Sequence, residues 1–126
     1  MEVKVDLEKK VPVLDISGEI DHFVAPELQK HIDSLVKAGH ERLVLDLLKV
    51  NYLDSGGIGI LFSAMHKLAA KNGNMAVVLK DKNVIRILEL VGLFDPRTNV
   101  ELYEDKNTAL SELERKQKVG QPDYKN

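Results

Sequence analysis

The sequence predicts an α/β fold: one domain with a mixed β-sheet of about four to five strands, about four helices and βαβ crossover connections. One observation is that strand-like segments with alternating apolar residues take turns with segments whose apolar residues recur at helical spacing. The other is that residues 43–48 and 75–79 are almost continuously apolar, as strands covered on both faces are. Right-handed crossovers would make such a sheet parallel at its centre, with these two strands side by side.

The first third of the chain predicts a hairpin followed by a helix. Apolar and charged residues alternate over 3–7, and a second apolar run covers 11–16, so we expect two strands joined at residues 8–10. A helix then begins at Pro26, a favoured first helical residue, and ends before Gly39.

The rest of the chain predicts three helices and two strands. The apolar residues of 58–69 share one face of a helix that precedes the 75–79 strand. Asp81 is suited to cap a third helix, whose apolar positions continue to Val91 and which Gly92 terminates. A short strand over 100–103 and a helix over 106–118 complete the pattern.

Length, charge and composition limit the class of protein. We expect one domain over residues 1–118 and a disordered tail over 119–126, which carries turn-forming residues without apolar periodicity. The 18 basic and 20 acidic residues give a net charge of −2, so neither direct nucleic-acid binding nor membrane binding is expected. Cysteine is absent and no apolar stretch resembles a signal peptide, so we expect a soluble, cytoplasmic protein.

The segment LDSGGIGIL, residues 53–61, places three glycines where a helix is about to begin. Each glycine costs a helix roughly 0.5–1 kcal/mol relative to alanine, so helix stability does not explain them. Ser55 follows the 43–48 strand and precedes the helix, which is where functional groups collect in open α/β sheets. The structural alternative is that Asp54 or Ser55 caps the helix and the glycines relieve a tight turn.

The known catalytic, nucleotide-binding and metal-binding motifs are each incomplete in this sequence. A nucleophile elbow needs glycine two residues before the serine, where this chain has Leu53. Residues 57–59 begin a dinucleotide-binding fingerprint, but Phe62 occupies its third glycine position. The four histidines lack metal-ligand spacing, and Asp21 and Asp54 could be paired carboxylates without any recognisable pocket. A hydrolase that uses the serine stays an alternative.

Three motifs resemble the STAS domain of bacterial anti-sigma-factor antagonists. They are SGEIDH at 17–22, DSGGIG at 54–59 and VGLF at 91–94, and the resemblance extends over about residues 3–113. In that family the second motif is commonly D-S-[ST]-G-[LI]-G, and a partner that is both anti-sigma factor and kinase phosphorylates the serine after the aspartate. Ser55 occupies that position.

The resemblance implies a non-enzymatic switch protein without a cofactor. The unphosphorylated form would bind an anti-sigma factor with serine kinase activity and release a sigma factor, phosphorylation of Ser55 would end that binding, and a serine phosphatase would restore it. A phosphate there is expected to meet free N–H groups at the helix start, so that the fold survives. The implied kinase- and partner-binding residues are Asp21, Asp54, Gly56, Gly57 and Gly59.

Two further expectations accompany the resemblance. Gly56 replaces the second hydroxyl residue of the family motif, and the glycines are expected to keep the surface around Ser55 low enough for partners to approach. Leu90, Leu93 and Phe94 are expected to close the core, and the alternative is that they face a partner. The alternative function is a constitutive STAS scaffold or adaptor, in a sensory or transporter-associated complex, in which the serine is only structural.

Overall fold

The structure is a computed structural model that describes residues 1–120, and side chains for residues 1–116. The elements in chain order are β1 (Glu2–Asp6), β2 (Val13–Ile20), α1 (Ala25–Lys37), β3 (Arg42–Leu53), α2 (Ser55–Ala69), β4 (Asn74–Val78), α3 (Lys82–Leu90), β5 (Val100–Tyr103) and α4 (Lys106–Gly120). No helix in the described range is long and apolar enough to cross a membrane. The predicted tail lies, from residue 121 onward, outside the described residues.

The five strands form one mixed sheet in the order β1-β2-β3-β4-β5, which confirms the predicted fold class. β1 and β2 form the predicted antiparallel hairpin, and each later strand is parallel to the one before it. β3 and β4 lie side by side in the sheet interior, as predicted, with Leu45 opposite Val77. Because β2 to β5 are parallel, their carboxyl ends lie at the same side of the sheet.

Helices cover both faces of the sheet and produce two apolar clusters. The larger cluster unites α1, α2 and α3 with one face, and the smaller one joins α4 to the other. Along β3, Leu43 and Leu45 belong to the larger cluster while Val44 between them belongs to the smaller. Burial on both faces is therefore the reason why this strand is almost continuously apolar.

β3 is longer than predicted, because it continues from residue 48 to Leu53. This extension contains exposed residues such as Lys49 and Tyr52, which do not resemble a buried strand. It pairs with the end of β2, where Ile20 lies opposite Leu53. Two register shifts each add one residue to β3 relative to β2, and they turn both Val50 and Leu53 toward the larger cluster.

The predicted helix boundaries at glycine and aspartate are confirmed. Gly39 and Gly92 follow α1 and α3 with φ of 101° and 90°, a conformation that glycine adopts at low cost. Asp81 caps α3 by accepting hydrogen bonds from the backbone N–H groups of Asn83 and Val84, at 2.9 and 3.1 Å.

α3 buries a narrower stripe than its apolar content suggests. Val84 and Leu88 are buried, and Leu93 and Phe94 after the helix pack in the core or against it, as predicted. The core prediction is wrong for Leu90, which is 77% exposed. A helix of nine residues that rests on one sheet face buries only one stripe, so its remaining apolar side chains point to solvent. The other exposed apolar residues of this segment are Ile87 and Val91.

The position of Leu45 gives a first test of the fold. Leu45 is fully buried between two central strands, so Leu45→Asp would place an unpaired charge in the core and should cost about 4 kcal/mol or more. We expect loss of the cooperative transition in thermal unfolding followed by circular dichroism. The control is Asn51→Asp, at an exposed position of the same strand. Cooperative melting of Leu45→Asp near the parent's temperature would contradict the burial.

Candidate functional site

Two of the predicted motifs meet where β2 and β3 end. Ile20 and Leu53 are the last paired residues of these strands, and Asp21 and Asp54 directly follow them. The backbone N–H of Asp54 donates to the carbonyl oxygen of Ile20 at 3.3 Å. Parallel pairing therefore brings the 17–22 and 54–59 motifs together at one edge of the sheet.

The carboxylate of Asp54 connects the two loops. Its Oδ1 accepts hydrogen bonds from the backbone N–H groups of Gly56 and Gly57, at 2.8 and 3.1 Å, and so caps α2. Its Oδ2 accepts from the backbone N–H of His22 at 3.1 Å and lies 3.2 Å from the Nδ1 atom of the same residue. One side chain thus fixes both the start of α2 and the turn that leads to α1.

These contacts keep Asp54 ionised. Burial disfavours the charged carboxylate, but hydrogen bonds from the Gly57 backbone, from the side chain and backbone of His22 and from the Gly56 backbone outweigh it and lower the pKa below its usual 3.8. A pKa lowered by folding stabilises the fold above the unfolded value, and that stabilisation is lost as the pH falls through the folded value. At neutral pH a full negative charge therefore lies beside Ser55.

Asp21 has a separate structural role. Its Oδ1 accepts hydrogen bonds from the backbone N–H groups of Phe23 and Val24, at 3.0 and 3.1 Å, and holds the turn before α1. No ion pair or hydrogen bond joins the side chains of Asp21 and Asp54 within residues 1–116. Both carboxylates are engaged by backbone donors, which does not favour the paired-carboxylate hypothesis.

Ser55 is the first residue of α2 and is exposed. Its hydroxyl makes no hydrogen bond to any residue that the structure describes, and the capping role belongs to Asp54 instead. A histidine and an aspartate beside a serine resemble parts of a catalytic triad. Here His22 lies within hydrogen-bond distance of Asp54 and forms no hydrogen bond with the hydroxyl, so the structure does not show the serine–histidine pair that a serine nucleophile needs.

The glycines of the motif have two different environments. A Cβ atom at Gly56 would lie 2.7 Å from the Cα of His22, and one at Gly57 would lie 2.6 Å from the carbonyl oxygen of Ile20. A Cβ at Gly59 would meet nothing within 4 Å. The expectation that the glycines lower the outer surface is therefore wrong for Gly56 and Gly57, which make room for the chain's own 20–22 segment. Only Gly59 leaves open surface.

His22 and Phe23 are the site residues that the sequence interpretation missed. The sequence includes His22 in the 17–22 motif and among four histidines without metal-ligand spacing, but predicts no role for it at the site. The ring of Phe23 packs on that of His22 with centroids 4.2 Å apart. Phe23 is 80% exposed. The available signal was an aromatic residue in a turn, outside the apolar periods of both β2 and α1. In residues 1–116 no group of three or more acidic or histidine side chains is placed to hold a metal ion.

Comparison with known proteins agrees with this geometry. The profile of the STAS domain matches residues 2–109. The chain belongs to the STAS domain family. The resemblance that the three motifs predict is thus confirmed, and the STAS domain here includes both loops of the site.

Relatives of this STAS domain are named anti-sigma factor antagonists. The anti-sigma F factor antagonist of Paenibacillus polymyxa is 28% identical over 115 residues, which cover 90% of this chain and 96% of that protein. The anti-sigma-B factor antagonist of Bacillus subtilis is 30% identical over 98 residues, covering 75% and 88%. The crystal structure of an anti-sigma factor antagonist from Mycobacterium paratuberculosis matches with a TM-score of 0.79 and 32% identity, covering 90% of this chain and 93% of that one.

Alanine substitutions at Gly56 and Gly59 test whether the backbone of His22 lies against Gly56. Gly56→Ala should destabilise the STAS domain by about 1–3 kcal/mol, because the new methyl group collides with the His22 backbone. Gly59→Ala should be neutral or should stabilise α2 by about 0.5–1 kcal/mol. Urea unfolding measures both values. Equal effects of the two substitutions would show that residue 22 does not lie against the start of α2.

The lowered pKa of Asp54 predicts a pH-dependent stability difference. The free energy of unfolding of the parent should exceed that of Asp54→Asn most clearly above pH 3.8, and the difference should shrink as the pH falls through the lower folded pKa. Denaturant unfolding at several pH values measures this difference. Glu19→Gln, at an exposed position of β2, corrects for the general loss of a negative charge. A difference that does not change with pH would contradict the contacts of this carboxylate.

Proposed function

We propose that this STAS domain is an anti-sigma-factor antagonist that phosphorylation of Ser55 switches off. In the unphosphorylated form it binds an anti-sigma factor with serine kinase activity and so releases a sigma factor, and a serine phosphatase resets the switch. The observation that carries the proposal is the exposed hydroxyl of Ser55 at the start of α2, next to a carboxylate that is held ionised. The names of the relatives support the antagonist role.

The surface around the serine is suited to a protein partner. Ser55 and Gly59 are four residues apart and lie on the same side of α2, and both are exposed. Phe23 adds a large exposed aromatic ring, connected to the site through His22. Aromatic side chains are frequent energetic centres of protein interfaces. The proposed contact surface therefore combines the phosphate acceptor, an open helix face and an apolar anchor.

The proposed switch is electrostatic and leaves the fold intact. A phosphate on Ser55 would add about −1.5 to −2 charges. The N–H groups of Gly56 and Gly57 already donate to Asp54, so these two are not among the free N–H groups expected to receive the phosphate. The phosphate would instead add to the charge of Asp54, with a repulsion of about 1–3 kcal/mol per charge pair at ~5 Å and an effective dielectric of ~20 to 80. Because the hydroxyl is exposed, this charge stays hydrated until a partner covers it.

In this proposal the STAS domain is a substrate and binding partner rather than an enzyme. Its serine hydroxyl forms no hydrogen bond with His22 or with either site carboxylate, and both carboxylates accept backbone hydrogen bonds instead. The kinase would supply ATP and its own catalytic groups. Asp21 and Asp54 would then contribute the shape and charge of the surface that the kinase recognises.

Substitutions at Ser55 test the proposal directly. Ser55→Ala should abolish phosphorylation and still bind the anti-sigma partner, whereas Ser55→Asp should stay folded and bind at least about tenfold more weakly. Calorimetric titration against that partner measures the affinities, and incubation with the partner and ATP measures phosphorylation. Ser111→Asp, an exposed serine on α4, is the matched control and should bind like the parent.

Two results would contradict the proposal in different ways. Continued phosphorylation of Ser55→Ala would remove this serine as the acceptor. Equal affinities of Ser55→Ala and Ser55→Asp would eliminate the electrostatic release and would favour the constitutive scaffold.

A further inference from the structure

The outer edge of β1 is a second surface, separate from the Ser55 site. β1 lies at one end of the strand order, and within residues 1–120 only β2 pairs with it. A strand at the end of a sheet directs half of its backbone N–H and C=O groups away from the sheet. Such an edge is a template for pairing with a strand of another chain.

The ladder on the inner side of β1 determines which backbone groups face the open edge. The carbonyl oxygen of Pro12 accepts a hydrogen bond from the N–H of Val44 in β3, so Val13 directs its backbone groups to β1. Asp6 lies opposite Val13 and directs its own groups to β2. Because these directions alternate along a strand, the N–H and C=O of Val5 point to the open edge, as do those of the residues two positions before and after it.

The two faces of this edge differ in chemistry. On one face Val5 is 36% exposed, and Leu7, directly after the strand, is 59% exposed. On the other face Lys4 and Asp6 are neighbours, because side chains two positions apart share a face. Lys4 lies opposite Asp15 of β2, but neither Lys4 nor Asp6 forms an ion pair with any side chain of residues 1–116. The edge thus has an apolar face and a face with one charge of each sign.

A second copy of this chain complements the edge in one register. If Val5 of one copy lies opposite Val5 of the other in antiparallel pairing, Lys4 of each copy lies opposite Asp6 of the other. These two pairs share one face and carry opposite charges, which stabilises cross-strand pairs. The same register places Val3 of each copy opposite Leu7 of the other. Apolar residues therefore meet on one face and opposite charges on the other.

The neighbouring registers fit less well. A register in which Lys4 lies opposite Lys4 of the second copy places like charges opposite each other at every position of the charged face. A register centred on Val3 pairs Glu2 with Lys4 but leaves Leu7 outside the contact. Only the register centred on Val5 combines opposite charges with contact of both exposed apolar side chains.

We propose that two copies of this chain associate through antiparallel pairing of their β1 edges, centred on Val5. The two five-stranded sheets would then form one continuous sheet. Paired strand edges of this length form a small contact, so we expect a reversible dimer. The edge begins at Glu2, opposite Ser17, and Ser17 precedes the end of β2 where the Ser55 site lies. The dimer leaves both sites uncovered, and the proposal does not depend on phosphorylation.

Charge reversals in the full chain test the pairing. Sedimentation velocity at increasing protein concentration measures the dissociation constant of the dimer. We expect the parent to dimerise and hydrogen exchange of the Val3 and Val5 amides to slow with concentration. Lys4→Asp and Asp6→Lys should each raise the dissociation constant about tenfold or more, because each substitution turns two attractive pairs into repulsive ones. Circular dichroism checks that both variants are folded.

A mixture of the two variants separates loss of pairing from loss of folding. In an equimolar mixture of Lys4→Asp and Asp6→Lys, every charged pair between the unlike chains again has opposite signs, so a heterodimer should form about as readily as the parent dimer. The control is Glu2→Lys on the same face, which has no basic partner in the proposed register and should not weaken the dimer.

Four results would overturn the proposal. The first is a parent that stays monomeric at millimolar concentration, and the second is concentration-dependent amide protection at β5 instead of β1. The third is a mixture of folded variants that does not associate. The fourth is a Glu2→Lys variant that dimerises as poorly as Asp6→Lys, because the pairing would then not be centred on Val5.

Discussion

The carboxylate of Asp54 is the interaction on which the candidate site depends. This ionised carboxylate accepts hydrogen bonds from Gly56 in its own loop and from His22, which lies 32 residues earlier in the sequence. Hydrogen bonds to a charged acceptor are stronger than those between neutral groups. The same side chain thereby orients the first turn of α2, holds the His22 turn in place and sets the charge that Ser55 experiences.

The site also depends on the register between β2 and β3. The extension of β3 reaches the end of β2 because of two extra residues, and it places two loops from parallel strands against each other. Both loops follow strands that carry fully buried apolar side chains, such as Ile20 and Leu47. The side chain of Ser55 is therefore exposed although the backbone next to it is tightly packed. The hydroxyl can be reached from solvent without any local unfolding.

The sequence predicts those parts of the structure whose causes are local. Continuous apolar segments predict β4 and half of β3, and one residue with its neighbours predicts the cap at Asp81. The motif at 54–59 located the candidate site. The contact between His22 and Asp54 could not be predicted, because it depends on a register that two irregularities in β3 determine. The roles of Gly56 and Gly57 cannot be predicted either, since most of the atoms that exclude a side chain there come from β2 and the turn after it.

The 2.7 Å approach between a Cβ at position 56 and the Cα of His22 limits how this surface can vary. A hydroxyl residue at position 56, as in the usual family motif, requires the 20–22 segment to move outward. A side chain at position 56 is therefore sterically incompatible with the present path of the β2–α1 turn. One consequence is that this chain presents a single hydroxyl, that of Ser55, at the start of α2, so the switch proposed for this surface has one acceptor there rather than two neighbouring ones.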